Sequence, residues 1–387
     1  MNLIARALGR NETVKPSDGK ERVTKRLNLA LQGGGAHGAF TWGVLDELLN
    51  DGRIEIEGLS GTSAGAVNAV MTADGLARGG PAEARKRLAD FWRAASRDGD
   101  MSKLNRVISD RLFSLIPIVG NPMQVWFDAM ARTYSPYDLN PLNINPLKDL
   151  IDRFVDFEAV RGSGVPLFIA ATNVHTGRLR VFPRDKIDAD AVMASAALPY
   201  VFRAVEIDGV PYWDGGYTAN PPIYPFFRTT ETEDVLVVQI NPVLRLSTPR
   251  SSQEIVNRIN EITFNASLVA EYRAIEFVRR LIDQGALPRG TGPGQYRRIN
   301  VHRIDLGFIG KKLTPESRLN TDYDFFEMLH RAGRRAARRF LDRHFGDIGV
   351  RSTIDLHEEM RTDKNEALPS GVDRLSGQGS SGQGSGG

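Results

Sequence analysis

The chain has 387 residues, of which 41% are hydrophobic and 25% are charged, a composition typical of a globular protein with a sizeable core. Its formal net charge of +3 is close to balance, so the total charge indicates no nucleic-acid partner. The absence of cysteine excludes disulfide scaffolds, thiol nucleophiles and cysteine–zinc sites.

The first predicted elements alternate between strand and helix. Residues 1–26 are polar and charged, which is typical of a flexible segment. Apolar residues then predict a buried strand at 27–32 and, after a glycine-rich loop, a helix at 39–50. A second strand is predicted at 54–59 and a helix of small residues at 66–77. This order predicts a three-layer α/β/α fold with a central, mainly parallel sheet.

Residues 111–147 have a different character. They are rich in large apolar side chains but contain repeated prolines, so they cannot form one long helix. The prolines are Pro117, Pro122, Pro136, Pro141 and Pro146. Two interpretations stay open: an irregular connector packed on the core, or a lid over a functional site.

The later elements extend the same domain. Helices are predicted at 81–97, 189–197, 255–284 and 323–345, and strands at 167–174, 179–182 and 235–240. We expect a core at 27–228, its C-terminal continuation at 229–350, and a polar, Gly/Ser-rich disordered tail at 351–387. The arginines of the last helix predict a solvated face, with contact to anionic membranes as the alternative.

The sequence gives limited information on location. No apolar run reaches the roughly 18 residues of a membrane-spanning helix. The N-terminus lacks the apolar stretch and cleavage site of a secretory signal. We therefore expect a cytoplasmic protein, while peripheral membrane contact and the oligomeric state stay open.

The first chemical motif is Gly61-Thr62-Ser63-Ala64-Gly65, which fits the pattern G-x-S-x-G. This pattern forms a nucleophile elbow, a sharp turn between a strand and a helix that exposes the serine hydroxyl. The glycines on both sides allow the strand and the helix to approach closely. Its position between a predicted strand and a helix of small residues favours Ser63 as a nucleophile.

The second motif is the glycine loop that follows the first strand. Gly33, Gly34 and Gly35 present backbone N–H groups, which an acyl hydrolase needs around the oxyanion of its tetrahedral intermediate. Gly34 and Gly35, joined by the N–H of Ala64, are the preferred donors. His37 and Gly38 complete this loop.

The same loop also fits the dinucleotide-binding pattern G-x-G-x-x-G, through Gly33, Gly35 and Gly38. Glu55 and Glu57 follow about twenty residues later, where a ribose-binding carboxylate is expected. A nucleotide-binding protein is therefore an alternative function, although such a site does not need the serine motif.

The base that activates Ser63 is expected to be Asp214. His302 is the only histidine that the sequence leaves as a candidate for a triad. Asp214 lies between two aromatic residues and the pair Gly215 and Gly216. A buried carboxylate beside a serine hydroxyl can accept its proton directly.

Taken together, these motifs resemble those of the patatin-like phospholipases. The resemblance rests on five blocks in order: the glycine loop, G-T-S-A-G at 61–65, A-S-A-A-L-P at 194–199, D-G-G at 214–216, and the continuation to N-P-P at 220–222. It covers about residues 27 to 225.

The resemblance implies a Ser63–Asp214 dyad without histidine, an acyl-enzyme intermediate, and no metal or cofactor. It implies phospholipids or related acyl lipids as substrates. The family often has Arg or Lys where this chain has His37, and neutral imidazole would stabilise an anion more weakly. A carboxylesterase or thioesterase that acts on soluble esters through the same dyad therefore stays open.

Overall fold

The computed structural model describes residues 23–96, 135–199, 201–245, 247–313 and 315–360. The strands are β1 (Lys25–Leu31), β2 (Ile54–Gly61), β3 (Leu167–Asn173), β4 (Leu179–Pro183), β5 (Val205–Ile207), β6 (Val210–Asp214), β7 (Asp234–Gln239) and β8 (Asn300–Asp305). The helices are α1 (Gly38–Asp51), α2 (Ala64–Ala94), α3 (Pro136–Leu139), α4 (Pro146–Phe154), α5 (Phe157–Gly162), α6 (Ala189–Ala196), α7 (Phe226–Thr229), α8 (Ser252–Asp283), α9 (Gly307–Lys312), α10 (Tyr323–His344) and α11 (Leu356–Met360).

The described strands form one mixed sheet in the order β5-β6-β3-β2-β1-β7-β8, and β4 also pairs with β3. The pairs β3–β2, β2–β1, β1–β7 and β7–β8 are parallel, whereas β4, β5 and β6 join by antiparallel pairs. The chain moves outward from β1 in both directions, so β1 lies where the strand order reverses. Ligands of open α/β sheets bind at the carboxyl ends of such strands.

Alternate residues of the central strands enter two different cores. Leu29 and Leu31 of β1 pack in the larger core with α1, α2 and α10, whereas Ala30 packs in the smaller core with Leu268 and Tyr272 of α8. This period of two places helices on both faces of the sheet. The predicted three-layer α/β/α fold with a mainly parallel sheet is therefore confirmed.

The strand register brings three loops to one level. Leu31 of β1 pairs with Gly61 of β2, so the residues two positions further on, Gly33 and Ser63, are level with each other. Gly61 also pairs with Ile169, and Ala171 two positions further pairs with Asp214. The register therefore places Asp214 level with Ser63, with β3 between their two strands.

Some predicted elements differ from the observed ones. The sequence predicts no strand between residues 197 and 214 or after residue 240, whereas the structure has the hairpin β5–β6 in the first region and strand β8 in the second. The helices predicted at 66–77 and 81–97 form α2, which has a break at Gly80, where φ is 73° and Pro81 follows. Glycine adopts this φ without strain, so the break changes the helix direction without a loop.

The predicted start of the C-terminal tail, at residue 351, is too early. Residues 351–360 belong to the fold, because α11 buries Leu356 against the smaller core. Residues 1–22 and 361–387, and residues 111–134 of the predicted lid, lie outside the described residues. The lid and the division of the chain into regions stay predictions. Within the described ranges, no helix is long and apolar enough to cross a membrane.

Candidate active site

Ser63 lies in a strained turn between β2 and α2. Its φ of 54° and ψ of −125° fall outside the regions that residues with a side chain normally adopt. Such strain persists only where the surroundings enforce it, and here the two glycines of the motif allow very close packing. A Cβ added at Gly65 would lie 2.1 Å from the carbonyl oxygen of Leu31, and one at Gly61 would lie 2.5 Å from Gly65.

Two hydrogen bonds from the backbone of Ser63 and the side chain of Thr62 connect this turn to distant segments of the chain. The N–H of Ser63 donates to Ser195 Oγ at 2.9 Å, and the Thr62 hydroxyl donates to the carbonyl oxygen of Ala219 at 2.7 Å. Ser195 is fully buried in α6, within the small-residue segment that the sequence singled out. That segment therefore orients the backbone of Ser63, a role that the sequence analysis did not assign to Ser195.

Asp214 ends β6 and is fully buried. Its Oδ1 accepts a hydrogen bond from the N–H of Gly216 at 2.7 Å. Its Oδ2 has no hydrogen-bond partner among the described residues. The Ser63 hydroxyl lies close enough to favour the charged carboxylate, although the contact does not reach hydrogen-bond geometry. Gly215 is needed here because a Cβ would lie 2.2 Å from the carbonyl oxygen of Ala170.

The environment of Asp214 makes its carboxylate basic. Burial raises the pKa of Asp214 to about 7, and the interactions with Gly216 and Ser63 lower it only in part. A carboxylate with this pKa can both accept and return a proton near neutral pH.

The glycine loop lies against Ser63. A Cβ at Gly33 would lie 2.7 Å from Ser63 Cβ, so only glycine allows this approach. The N–H of Gly33 is already used, because it donates to Asn220 Oδ1 at 2.7 Å. Gly33 is therefore not a donor for a ligand in this arrangement. Among the described residues, no hydrogen bond uses the N–H groups of Gly34, Gly35 or Ala64.

His37 is buried at the outer side of this loop. Its Nε2 is 2.7 Å from Ser317 Oγ. Burial, together with the positive charges of Arg318 and Arg245, lowers the pKa of His37 to about 3. The imidazole is therefore neutral at pH 7. Arg318 and Arg245 supply positive charge near the loop, and neither residue belongs to a local sequence motif.

None of the six histidines, all of which the structure describes, makes a hydrogen bond with Ser63. His302, the candidate for a triad, lies inside β8 and is fully buried. Its Nε2 is 2.8 Å from Asp234 Oδ1. Asp234 is the first residue of β7, so this pair lies toward the amino ends of the parallel strands, whereas Ser63 follows the carboxyl end of β2. His302 is a structural histidine.

The nucleotide-binding alternative does not fit the geometry. Glu55 and Glu57 lie in the first half of β2, away from its carboxyl end, where a ribose-binding carboxylate would be needed. Glu57 accepts hydrogen bonds from the backbone N–H groups of Glu231 and Thr232, and Glu55 lies 3.6 Å from Arg26. Both carboxylates therefore serve local structure.

Across the part of the chain that the structure describes, no three His, Asp or Glu side chains are grouped so that they could hold a metal ion.

The comparison with protein families agrees with the α/β/α fold. Residues 29–227, just over half of the chain, match the family model described as patatin-like phospholipase. The chain therefore belongs to the patatin-like phospholipase family, whose members are hydrolases of lipid esters. The comparison with curated proteins gives no match.

Two solved structures are similar at low identity. VipD from Legionella pneumophila is 17% identical, with a TM-score of 0.42 and coverage of 83% of this chain and 67% of that chain. The heterodimeric ExoU–SpcU complex from the type III secretion system of Pseudomonas aeruginosa is 13% identical, with a TM-score of 0.36. That match covers 84% of this chain and 52% of the other.

Proposed function

We propose that the protein hydrolyses carboxylic esters of phospholipids or related acyl lipids through a dyad of Ser63 and Asp214. The observation that carries this proposal is the fully buried carboxylate of Asp214 beside the Ser63 hydroxyl, with a pKa raised to about 7. A serine hydroxyl is a weak nucleophile unless an adjacent base removes its proton, and Asp214 is the described base beside Ser63.

The reaction follows from these positions. Ser63 Oγ attacks the ester carbonyl carbon while its proton moves to Asp214 Oδ2. The carbonyl oxygen becomes an oxyanion, which the N–H groups of Gly34, Gly35 and Ala64 stabilise as hydrogen-bond donors. The protonated Asp214 then returns its proton to the leaving alcohol oxygen as the ester bond breaks.

The acyl-enzyme is released by the same groups in the reverse direction. Asp214 accepts a proton from water, which attacks the acyl carbonyl, and the second tetrahedral intermediate uses the same donors. Ser63 leaves as the hydroxyl after it regains the proton from Asp214. The sequence of steps needs no histidine and leaves the enzyme unchanged.

Two observations bear on the substrate. The neutral state of His37 is compatible with an uncharged ester, which favours the soluble-ester alternative. Arg318 and Arg245 lower the pKa of His37 through their charge, so the surroundings of the loop are positive. A positive field favours an anionic substrate such as a phospholipid, and family membership favours lipid esters over soluble ones.

A substrate panel tests this proposal. Fatty-acid release from phosphatidylcholine and phosphatidylglycerol vesicles and hydrolysis of p-nitrophenyl butyrate are measured for the wild type and for Ser63→Ala. We expect release from vesicles, and at least about a thousandfold loss in Ser63→Ala. Hydrolysis of only the soluble ester supports the carboxylesterase alternative. Unchanged rates in Ser63→Ala contradict the dyad itself.

A further inference from the structure

The peptide groups on both sides of Gly33 are held by asparagine side chains from distant segments. The Gly33 N–H donates to Asn220 Oδ1 at 2.7 Å, and the Gly33 carbonyl oxygen accepts from Asn241 Nδ2 at 2.6 Å. Asn220 follows the Asp214 loop, whereas Asn241 follows β7. The glycine loop therefore has its orientation fixed from outside, although glycine itself imposes little conformational restriction.

Asn241 is in turn held by Arg318. Arg318 Nη2 donates to Asn241 Oδ1 at 2.8 Å, and the Arg318 side chain is only 14% exposed. The backbone of Arg318 also touches the loop, because a Cβ at Gly35 would lie 2.5 Å from the Arg318 carbonyl oxygen. Arg318 thus contacts the glycine loop directly through its backbone and indirectly through Asn241.

These contacts determine where the next amide points. The Gly33 carbonyl and the Gly34 N–H belong to one planar trans peptide group, so they point in opposite directions. When Asn241 holds the carbonyl oxygen, the Gly34 N–H is fixed on the side away from Asn241. A hydrogen bond to the carbonyl also polarises the peptide group and strengthens its N–H as a donor.

Arg318 also brings positive charge to this loop. Arg245 forms a two-hydrogen-bond pair with Glu261, at 2.8 and 3.3 Å, whereas the closest approach of Arg318 to Glu261 is 3.8 Å. The Arg318 guanidinium also donates to the neutral amide of Asn241, at 2.8 Å. The lowered pKa of His37 agrees with a positive field from Arg318 at this loop.

We propose that Arg318 and Asn241 are positioning residues that orient and polarise the Gly34 N–H as an oxyanion donor. The relay runs from the Arg318 guanidinium through the Asn241 amide to the Gly33 carbonyl and the Gly34 N–H. Neither side chain touches the substrate. This inference rests on the proposed function, because it assigns a donor for the oxyanion that the Ser63 reaction forms.

The test compares Arg318→Met with Arg258→Met on a soluble p-nitrophenyl ester. Arg258 is the matched control, because it also pairs with Glu261, at 3.1 Å, but donates its other hydrogen bond to the Val243 carbonyl oxygen and has none to Asn241 or the glycine loop among the described residues. We expect Arg318→Met to lower kcat about tenfold or more, with KM changed by less than about twofold, since an oriented donor acts mainly on the transition state. Arg258→Met is expected to keep kcat within about threefold of the wild type.

A second readout separates positioning from simple stability. A trifluoromethyl ketone adds to Ser63 as an oxyanion-bearing adduct, so its affinity should fall in proportion to kcat/KM in Arg318→Met. Asn241→Asp keeps the shape and the Arg318 contact but cannot donate to the Gly33 carbonyl. It should lower kcat by about tenfold or more as well, and it decides the question if Arg318→Met does not fold.

Three results overturn the inference: equal kcat in Arg318→Met and Arg258→Met, a rise in KM with unchanged kcat, or wild-type kcat in Asn241→Asp. Ser63→Ala is measured in parallel. If Ser63→Ala keeps the wild-type rate, the proposed function fails. If Ser63→Ala is inactive but the Arg318 and Asn241 variants resemble the wild type, only this inference fails.

Discussion

The replacement Asp214→Asn separates the stability of the protein from its activity. Asparagine keeps the shape of the side chain and can still accept the hydrogen bond from the Gly216 N–H. It removes the ionisable group, which is fully buried in the wild type. The variant should therefore lose hydrolysis by orders of magnitude and yet become more stable than the wild type above neutral pH.

The magnitude follows from the raised pKa. The ordinary pKa of an aspartate carboxyl is 3.8, and that of Asp214 is about 7 in the folded protein, so between these pH values the folded state holds a proton that the unfolded state does not. The stability that this group contributes is complete below pH 3.8 and is lost as the pH rises through about 7. The full loss is about 4 kcal/mol at pH 8, and about 1.7 kcal/mol of it has occurred by pH 5.

Urea denaturation of both proteins at pH 5 and pH 8 measures this effect. The stability advantage of Asp214→Asn should grow by about 2 to 3 kcal/mol between the two pH values. Asp185→Asn, at an exposed aspartate, is the matched control and should show no such growth. In the wild type, kcat/KM should fall as the pH decreases through about 7, since protonated Asp214 cannot accept the Ser63 proton. An advantage that stays constant with pH, or full activity in Asp214→Asn, would refute the reasoning.

Two further predictions concern the packing around Ser63. Ser195→Ala removes the acceptor of the Ser63 N–H and should lower kcat about tenfold in the ester assay. Ser60→Ala is the control and should leave kcat unchanged, because the buried Ser60 hydroxyl has no hydrogen-bond partner among the described residues. Equal rates in these two variants would contradict the role of Ser195. Gly65→Ala should lower the free energy of unfolding by about 3 kcal/mol or more, because its Cβ would lie 2.1 Å from the Leu31 carbonyl oxygen. Gly164→Ala, whose Cβ would have no neighbour within 4 Å, is the control, and similar thermal unfolding of the two alanine variants would contradict the packing argument.

The central part of the fold could be predicted from the sequence because its signals are local. The apolar runs of β1 and β2, the glycines after them and the small residues of α2 all lie within residues 25–94, where each element follows the last directly. Asp214 is predicted as the base from the aromatic residues before it and the glycines after it. The register of β2, β3 and β6 supplies the geometric reason that it lies level with Ser63.

The supporting residues could not be predicted because their contacts are distant in sequence. Asn241 lies 208 positions from Gly33 and Arg318 lies 283 positions from Gly35, and neither belongs to a local motif. The N–H of Gly33 is another case. The sequence predicts Gly33 as an oxyanion donor beside the preferred Gly34 and Gly35, and only the position of Asn220 shows that the Gly33 N–H is already used.

Strand β8 and helix α11 show a different limit. β8 contains His302 and Arg303 among its apolar residues, so its alternation is weak, and its burial depends on pairing with β7. Helix α11 contains few apolar residues, but its Leu356 is buried in the smaller core, which also contains residues of α8. Tertiary packing, rather than local propensity, determines both elements.

The most direct test of the Ser63–Asp214 account is covalent labelling with a fluorophosphonate, followed by mass spectrometry of the digested protein. The account predicts one modified peptide, with the adduct on Ser63, full loss of esterase activity on labelling, no adduct in Ser63→Ala, and much slower labelling in Asp214→Asn. An adduct on another residue that accompanies the loss of activity, or complete inactivation with Ser63 unmodified, would contradict it.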